Sequence, residues 1–483
     1  MYSVTVNPGR ITKAVSRYIY GHFIEHLGRC IYGGIYEEGS PLSDERGFRK
    51  DVMEAVKKLK VPILRWPGGN FASNYHWEDG IGPKDQRPAR FDLAWRSVET
   101  NRFGTDEYIE YCREIGAEPY ICVNLGTGTL DEALRWLEYC NGEENTYYVN
   151  LRRKYGHMEP YGVKFWGIGN EMYGEWQVNH MNADEYAKIA KEYAKWMKVL
   201  DPSIKTIAVG HDDPEWNLRV LDVSGPHIDY ISYHFYTGSE DYYETVSTVY
   251  LLKERLLGLK KLIDMSRVSQ KRQIKIALDE WNVWYRVAEE GLEEPYELKD
   301  GLFACGVLIT LQKMSDIVPI ANLAQLVNAL GAIHTESDGL YLTPVYKAFE
   351  LLVNHSGQNL VETHIETETY DIDGRMFFTK TPFELGDVPY MDASATVSAD
   401  GKKLYLAVVN YKKEDAVKVS ITIKGMDEKI ARAYVLSGPD VHARNSMDHP
   451  NVVDIACEQI KVGSQFTHTF KPFSCTVIEI ERD

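Results

Sequence analysis

Two glutamates more than a hundred residues apart end similar stretches of this 483-residue chain. Residues 163–171 (VKFWGIGNE) read as an apolar strand that breaks at Gly169 and finishes with an amide and a carboxylate side by side, Asn170 and Glu171. Residues 275–281 (KIALDEW) repeat the pattern and place Glu280 at the end of a short β-prone run. Hydrolysis of a glycosidic bond with retention needs one protonated carboxyl for the leaving group and one ionised carboxylate to attack, about 5 Å apart. Strands of one parallel barrel deliver their C-terminal ends to a single rim, where the two glutamates would face each other across a pocket.

The elements that would position them alternate from Tyr18 onward. Strand patterns occupy 18–26, 61–68, 118–126, 163–171, 205–212, 228–236, 275–284 and 317–328, and helical patterns lie between them at 46–60, 105–116, 131–140, 184–200, 243–264, 298–314 and 344–353. Asn182 with Glu185, and Thr129 with Glu132, have the spacing of capping boxes. Eight β/α repeats imply an α/β fold, a closed (β/α)8 TIM barrel over 18–356. From 357 to 483 the texture becomes short alternating strands separated by Gly, Asp and Pro, with a hairpin at Ala399-Asp400-Gly401-Lys402, and this reads as a C-terminal β-sandwich. Residues 1–17 alternate as a strand, turn at Asn7-Pro8-Gly9, and are free to pair with that sandwich.

Two connections exceed what a barrel needs, 70–104 with Trp77 and Trp95, and 287–300 with Glu289, Glu290, Glu293, Glu294 and Glu297. Both follow strands on the rim side, where substrate walls are made.

A formal charge of −17 disfavours nucleic acid and anionic membranes as partners, whereas a neutral sugar meets no such penalty. Seven cysteines without a C-x-x-C pair suggest neither a disulfide framework nor a zinc site, so a cytoplasmic location is expected. The first residues lack the apolar core of a leader, and no apolar run approaches a membrane span.

Further rim residues suit the same chemistry. Glu25 ends the first strand, and Arg65 in the second could orient the carboxylates. Gly68-Gly69 would let the chain turn so that Asn70 points inward, and Asn170 could bond the hydroxyl beside the anomeric carbon. Tyr236 is placed to donate to Glu280, and His234 reads as an active-site hydrogen bonder. By strand alternation Asp279 should point away from Glu280. Whichever of the two glutamates serves as the acid should have its pKa raised by an apolar wall and the neighbouring carboxylate. His22 and His26 look superficially like a metal pair, but they lie in a strand and not on an H-E-x-x-H helix.

With GNE and DEWN in place, the chain resembles the family 51 glycoside hydrolases, the α-L-arabinofuranosidases. YGHFIEHLGRCIYGGIYEEGSP, LRWPGGNF, WEDGIGP, WGIGNEMYGEW, SYHFY, LDEWNVWY and NLAQLVN carry the resemblance over essentially the whole chain. It implies Glu171 as acid/base and Glu280 as nucleophile. Sugar hydrogen bonds would come from Glu25, Asn70, Asn170, Tyr236 and Gln325, with Trp284 and Trp95 as apolar walls. It further implies exo-acting release of terminal arabinofuranosyl units from arabinan, arabinoxylan and their oligosaccharides, no metal or organic cofactor, and a homohexamer. Competing readings are a β-xylosidase or endoglucanase with the same glutamates, a carbohydrate-binding protein without chemistry, and a metal-dependent hydrolase.

Overall fold

The computed structural model describes residues 2–268, 272–286, 292–377 and 380–482. Eight parallel strands close into a barrel, each hydrogen-bonded to its neighbours in chain order. They are β1 (Gly21–Phe23), β2 (Ile63–Trp66), β3 (Glu118–Val123), β4 (Phe165–Ile168), β5 (Lys205–Ala208), β6 (Tyr230–Thr237), β7 (Lys275–Val283) and β8 (Ile320–Ala324). Each sits inside an expected run or within a residue of it, and most are shorter. In the first run, Arg17–Tyr20 form a 3-10 turn before the pairing begins.

Ile63, Tyr120, Phe165, Ile207, Ala277 and Ile320 form a buried apolar layer inside the lower barrel. Two residues further along their strands, Arg65, Asp279 and Asn322 begin a polar layer, all of them buried. The interior therefore changes from apolar to charged along the barrel axis, and the chemistry is confined to one end.

All seven expected helices are present. Asn182 and Glu185 cap each other's backbone N–H groups at 3.0 and 3.1 Å. At Thr129 only half of the expected box forms: its hydroxyl accepts from Glu132 N–H at 3.1 Å, while the Glu132 carboxylate turns to His76 Nδ1 at 3.0 Å. Two unexpected helices, Tyr147–Lys154 and Pro214–Ser224, complete the outer layer.

Helix Leu298–Met314 is buried around almost its whole circumference. An all-round apolar helix has to be covered on both sides. The barrel covers one side, and a nine-stranded sheet, eight of whose strands come from residues after 358, covers the other. The N-terminal strand Ser3–Ala14 joins that sheet, antiparallel to Asn359–Glu366 and parallel to Val417–Ile423. Asn7-Pro8-Gly9 forms a register irregularity within this strand, in place of the expected turn. The expected sandwich is thus one continuous sheet whose strands enclose a shared core including Val4, Ile421, Leu406 and Ile478. A separate hairpin, Thr369–Arg375 with Pro382–Pro389, packs on helix Tyr242–Met265.

Candidate active site

A cavity of about 460 Å³ opens at the C-terminal ends of the barrel strands. Its floor holds Glu171 and Glu280, and Glu171, His234 and Glu280 each place a donor atom within 4.8 Å of the other two. The turn after β4 makes this possible: Gly169 and Glu171 both have positive φ, +77° and +44°, which swings the Glu171 side chain back over the barrel.

Glu280 reaches the same point by a different device. β7 shifts register against both of its neighbours between Ala277 and Trp281, as a bulge does. Asp279 and Glu280 consequently both face the interior, and the expectation that Asp279 points away is corrected. Asp279 accepts from the Tyr120 hydroxyl at 2.6 Å and lies 3.4 Å from His234 Nε2, beneath the reacting carboxylates.

Arg65 is fully buried under this cluster and donates to Glu280 Oε2 at 2.9 Å, the Asp279 carbonyl at 3.0 Å and Asn170 Oδ1 at 2.5 Å. Tyr236 donates to the other Glu280 oxygen at 2.7 Å. Both Glu280 oxygens are therefore held in place by donors.

Glu171 accepts from Trp176 Nε1 at 2.8 Å, and its other oxygen lies 2.8 Å from His234 Nδ1. Burial pushes the Glu171 carboxyl up, but the hydrogen bond and charge of His234, with Trp176, outweigh it and hold the group below its usual range. The expected raised pKa is therefore not found. Burial also works against a charged His234, yet the Glu280, Asp279 and Glu171 carboxylates raise that imidazole to about 10. The surrounding carboxylates thus favour a proton on His234, the neighbour of Glu171 at 2.8 Å.

Glu25 accepts from Phe71 N–H, Trp95 Nε1 and Gln325 Nε2 at 3.0, 3.0 and 2.9 Å. Gly68-Gly69 act here by close approach: a Cβ on Gly68 would stand 2.6 Å from Glu25 Cγ, and one on Gly69 would stand 3.4 Å from a Glu280 oxygen. Asn70 lines the cavity and accepts from Gln177, while Asn170 stands behind it, its amide 3.4 Å from Asn70 Oδ1. Trp284 meets Tyr236 edge to face at 5.4 Å and closes one wall. All eleven candidate residues thus converge, nine on the cavity surface and Arg65 and Asn170 just behind it.

Burial pushes the Glu25 carboxyl up to about 7, with the Phe71 N–H opposing and the Glu280 charge adding to it. Its ordinary value is 4.5, so the folded chain binds this proton more tightly than the unfolded one. The stability it contributes is complete below that value and is lost as pH rises through about 7, a change of roughly 3 kcal/mol. Thermal denaturation of Glu25→Gln against the parent between pH 5 and 8 is expected to show the gap moving in the variant's favour as pH rises. A gap independent of pH would contradict this.

Residues not singled out from sequence complete the walls. Trp176 lies in the EMYGEW segment and could have been flagged by its proximity to Glu171. Met376, from the hairpin beyond the barrel, had no local signal. Trp77 is core and stacks on Trp136. In the second long loop Glu293 and Glu294 pair with Arg29 and Arg286, whereas Glu289 and Glu290 lie outside the described residues.

Among the described residues, Glu171, His234 and Glu280 are the one group close enough to hold a metal ion, and each already has a hydrogen-bond or ion-pair partner. His22 and His26 do not converge: His22 packs on Phe349, and His26 pairs with Glu99 at 2.8 Å. A second cleft, of about 510 Å³, is lined by Lys84, Arg87, Asp106 and Glu107, with Arg87 and Glu107 paired across it at 2.9 Å.

Residues 55–252 match the α-L-arabinofuranosidase 1 domain, and residues 279–474 match the α-L-arabinofuranosidase C-terminal domain. α-L-Arabinofuranosidase C of Emericella nidulans is 42% identical over 441 residues, 86% of each chain. This chain belongs to the family 51 α-L-arabinofuranosidases. Another relative, the intracellular exo-α-(1→5)-L-arabinofuranosidase 1 of Bacillus subtilis, is 38% identical over 97% of this chain and 96% of its own. The crystal structure of the Thermotoga maritima α-L-arabinofuranosidase in an arabinose complex superposes with a TM-score of 0.99 at 74% identity, covering all of both chains. As an arabinofuranosidase, the chain is a glycoside hydrolase.

Proposed function

We propose that this arabinofuranosidase is a retaining, exo-acting enzyme that removes terminal non-reducing α-L-arabinofuranosyl units from arabinan, arabinoxylan and their oligosaccharides. The approach of the Glu171 and Glu280 carboxylates to within 4.8 Å carries this reading, because an inverting pair needs roughly 6.5–9.5 Å to admit water. A Glu280 oxygen attacks the anomeric carbon as the glycosidic bond breaks, and Glu171 gives a proton to the departing oxygen. As the forming ester consumes the Glu280 charge, the chief support for the His234 proton, that proton moves along the 2.8 Å contact to Glu171 and on to the departing oxygen, leaving His234 neutral and Glu171 ionised until the proton taken from water in the second step restores His234 by the same contact. Glu171 then takes a proton from water, whose oxygen displaces Glu280 and releases arabinose with its original configuration.

Glu25, Asn70, Asn170, Tyr236 and Gln325 bind the sugar hydroxyls in this reading, and Trp284 and Trp95 bound the ring. Residues 18–356 carry the chemistry, flanked by 357–483 with 1–17. The name of the Bacillus relative supports exo action and, with the free cysteines, a cytoplasmic location. Family resemblance supports a homohexamer. Proton NMR of the first turnovers is expected to give α-L-arabinofuranose before mutarotation, and methanol should trap the methyl α-arabinofuranoside. Initial formation of the β anomer would overturn retention.

A further inference from the structure

Two apolar residues of the cavity wall, Leu292 and Leu330, have left-handed backbones, with φ of +55° and +48°. That region is costly for a residue with a bulky side chain, and it persists only where surrounding contacts enforce it. The two leucines are tied together, Leu330 N–H donating to the Leu292 carbonyl at 2.7 Å. The Leu330 carbonyl in turn accepts from Gln325 N–H and from Asn282 Nδ2, both at 3.0 Å. Gln325 then reaches Glu25 through its side chain at 2.9 Å. A displacement at Leu292 is therefore transmitted to an apolar wall and to two polar groups of the cavity.

What holds Leu292 is its neighbour in sequence. Glu293 forms a two-pronged ion pair with Arg29, Nε to Oε1 and Nη2 to Oε2, both at 2.8 Å. Such a fork fixes direction as well as distance. Arg29 is itself anchored: its third arm donates to the Thr335 carbonyl at 2.9 Å, and its own carbonyl accepts from Asn328 Nδ2 at 2.9 Å. Neither Arg29 nor Glu293 lines the cavity.

We propose that Arg29 and Glu293 are positioning residues for the sugar pocket: their ion pair, outside the cavity, holds Leu292, and through it Leu330 and Gln325, against the bound arabinofuranosyl ring. This rests on the reading of the cavity as the arabinose site. Glu171 and Glu280 are held by β4, β6, β7 and Arg65, none of which depends on the pair. Its loss therefore weakens sugar binding and spares the chemical step. The side chains of Arg29 and Glu293 are 42% and 24% exposed, so the pair adds little to global stability.

The test compares Arg29→Ala, Glu293→Gln, the double variant and Arg29→Lys with the parent, by steady-state kinetics on an aryl α-L-arabinofuranoside and by calorimetric titration with L-arabinose. Each single variant is expected to raise KM and weaken arabinose binding together by about 5- to 10-fold, with kcat within about twofold. The double variant should be no worse than either single one, because both remove one interaction. Arg29→Lys should recover part of the affinity, and melting temperatures should stay within about 2 °C. Unchanged arabinose affinity in both single variants overturns the proposal, as does a fall in kcat at constant KM or multiplication of the two effects in the double variant. Because affinity is read independently of turnover, failure of the hydrolytic reading and failure of the clamp are separate results.

Discussion

Glu280→Ala is expected to lower kcat on an aryl α-L-arabinofuranoside by about 10⁴-fold or more, because no other carboxylate can form the ester on that face of the sugar. Asp279 is the nearest acid in sequence, but it is spoken for by Tyr120 and lies below the reacting level. Removing Glu280 also strips Arg65 of a buried partner, which is destabilising in its own right. Glu280→Gln keeps the side-chain shape and separates the two effects: it should bind arabinose and melt close to the parent, yet fail to turn over. Activity within about a hundredfold of the parent in both variants would remove Glu280 from the role of nucleophile.

Glu171→Ala should separate substrates by their leaving groups. An oligosaccharide needs its departing oxygen protonated and is expected to lose about 10²- to 10⁴-fold in rate. An activated aryl arabinofuranoside needs no such help, so the ester on Glu280 should still form and then accumulate for want of a base. Azide, an anion that needs no deprotonation, should restore turnover and yield the α-arabinofuranosyl azide. If activated substrates react no better than natural ones and azide rescues nothing, Glu171 is not the acid/base. Trp176 and Tyr173 give the variant a control, since both contact Glu171 at 2.8 and 3.3 Å and their rings should stay in place after truncation.

The barrel was legible because its strands are short apolar runs bounded by glycines, and because the amide and acid at the ends of two of them have few structural uses. Ten of the eleven candidate residues converge for the same reason, as each lies toward the end of a barrel strand or in the first turn after it, while Trp95 arrives from the long connection 70–104. Three features were not legible. A bulge reverses side-chain alternation, and nothing in KIALDEW distinguishes a bulged strand from a regular one, so Asp279 was assigned the wrong face. The pKa of Glu171 depends on His234, 63 residues away, whose charge is fixed by three carboxylates together. Helix Tyr147–Lys154 buries only Val149 and Arg152, too little for a periodic apolar face.

The pairing of Ser3–Ala14 between Asn359–Glu366 and Val417–Ile423 has a consequence during synthesis. This strand leaves the ribosome more than 340 residues before either partner, an interval of roughly 20–70 s at ordinary translation rates. For that time a β-prone segment carrying Val4 and Val6 is unpaired beside a maturing barrel, open to the edge of another nascent chain. Sheet completion is therefore a late, chain-length-gated event.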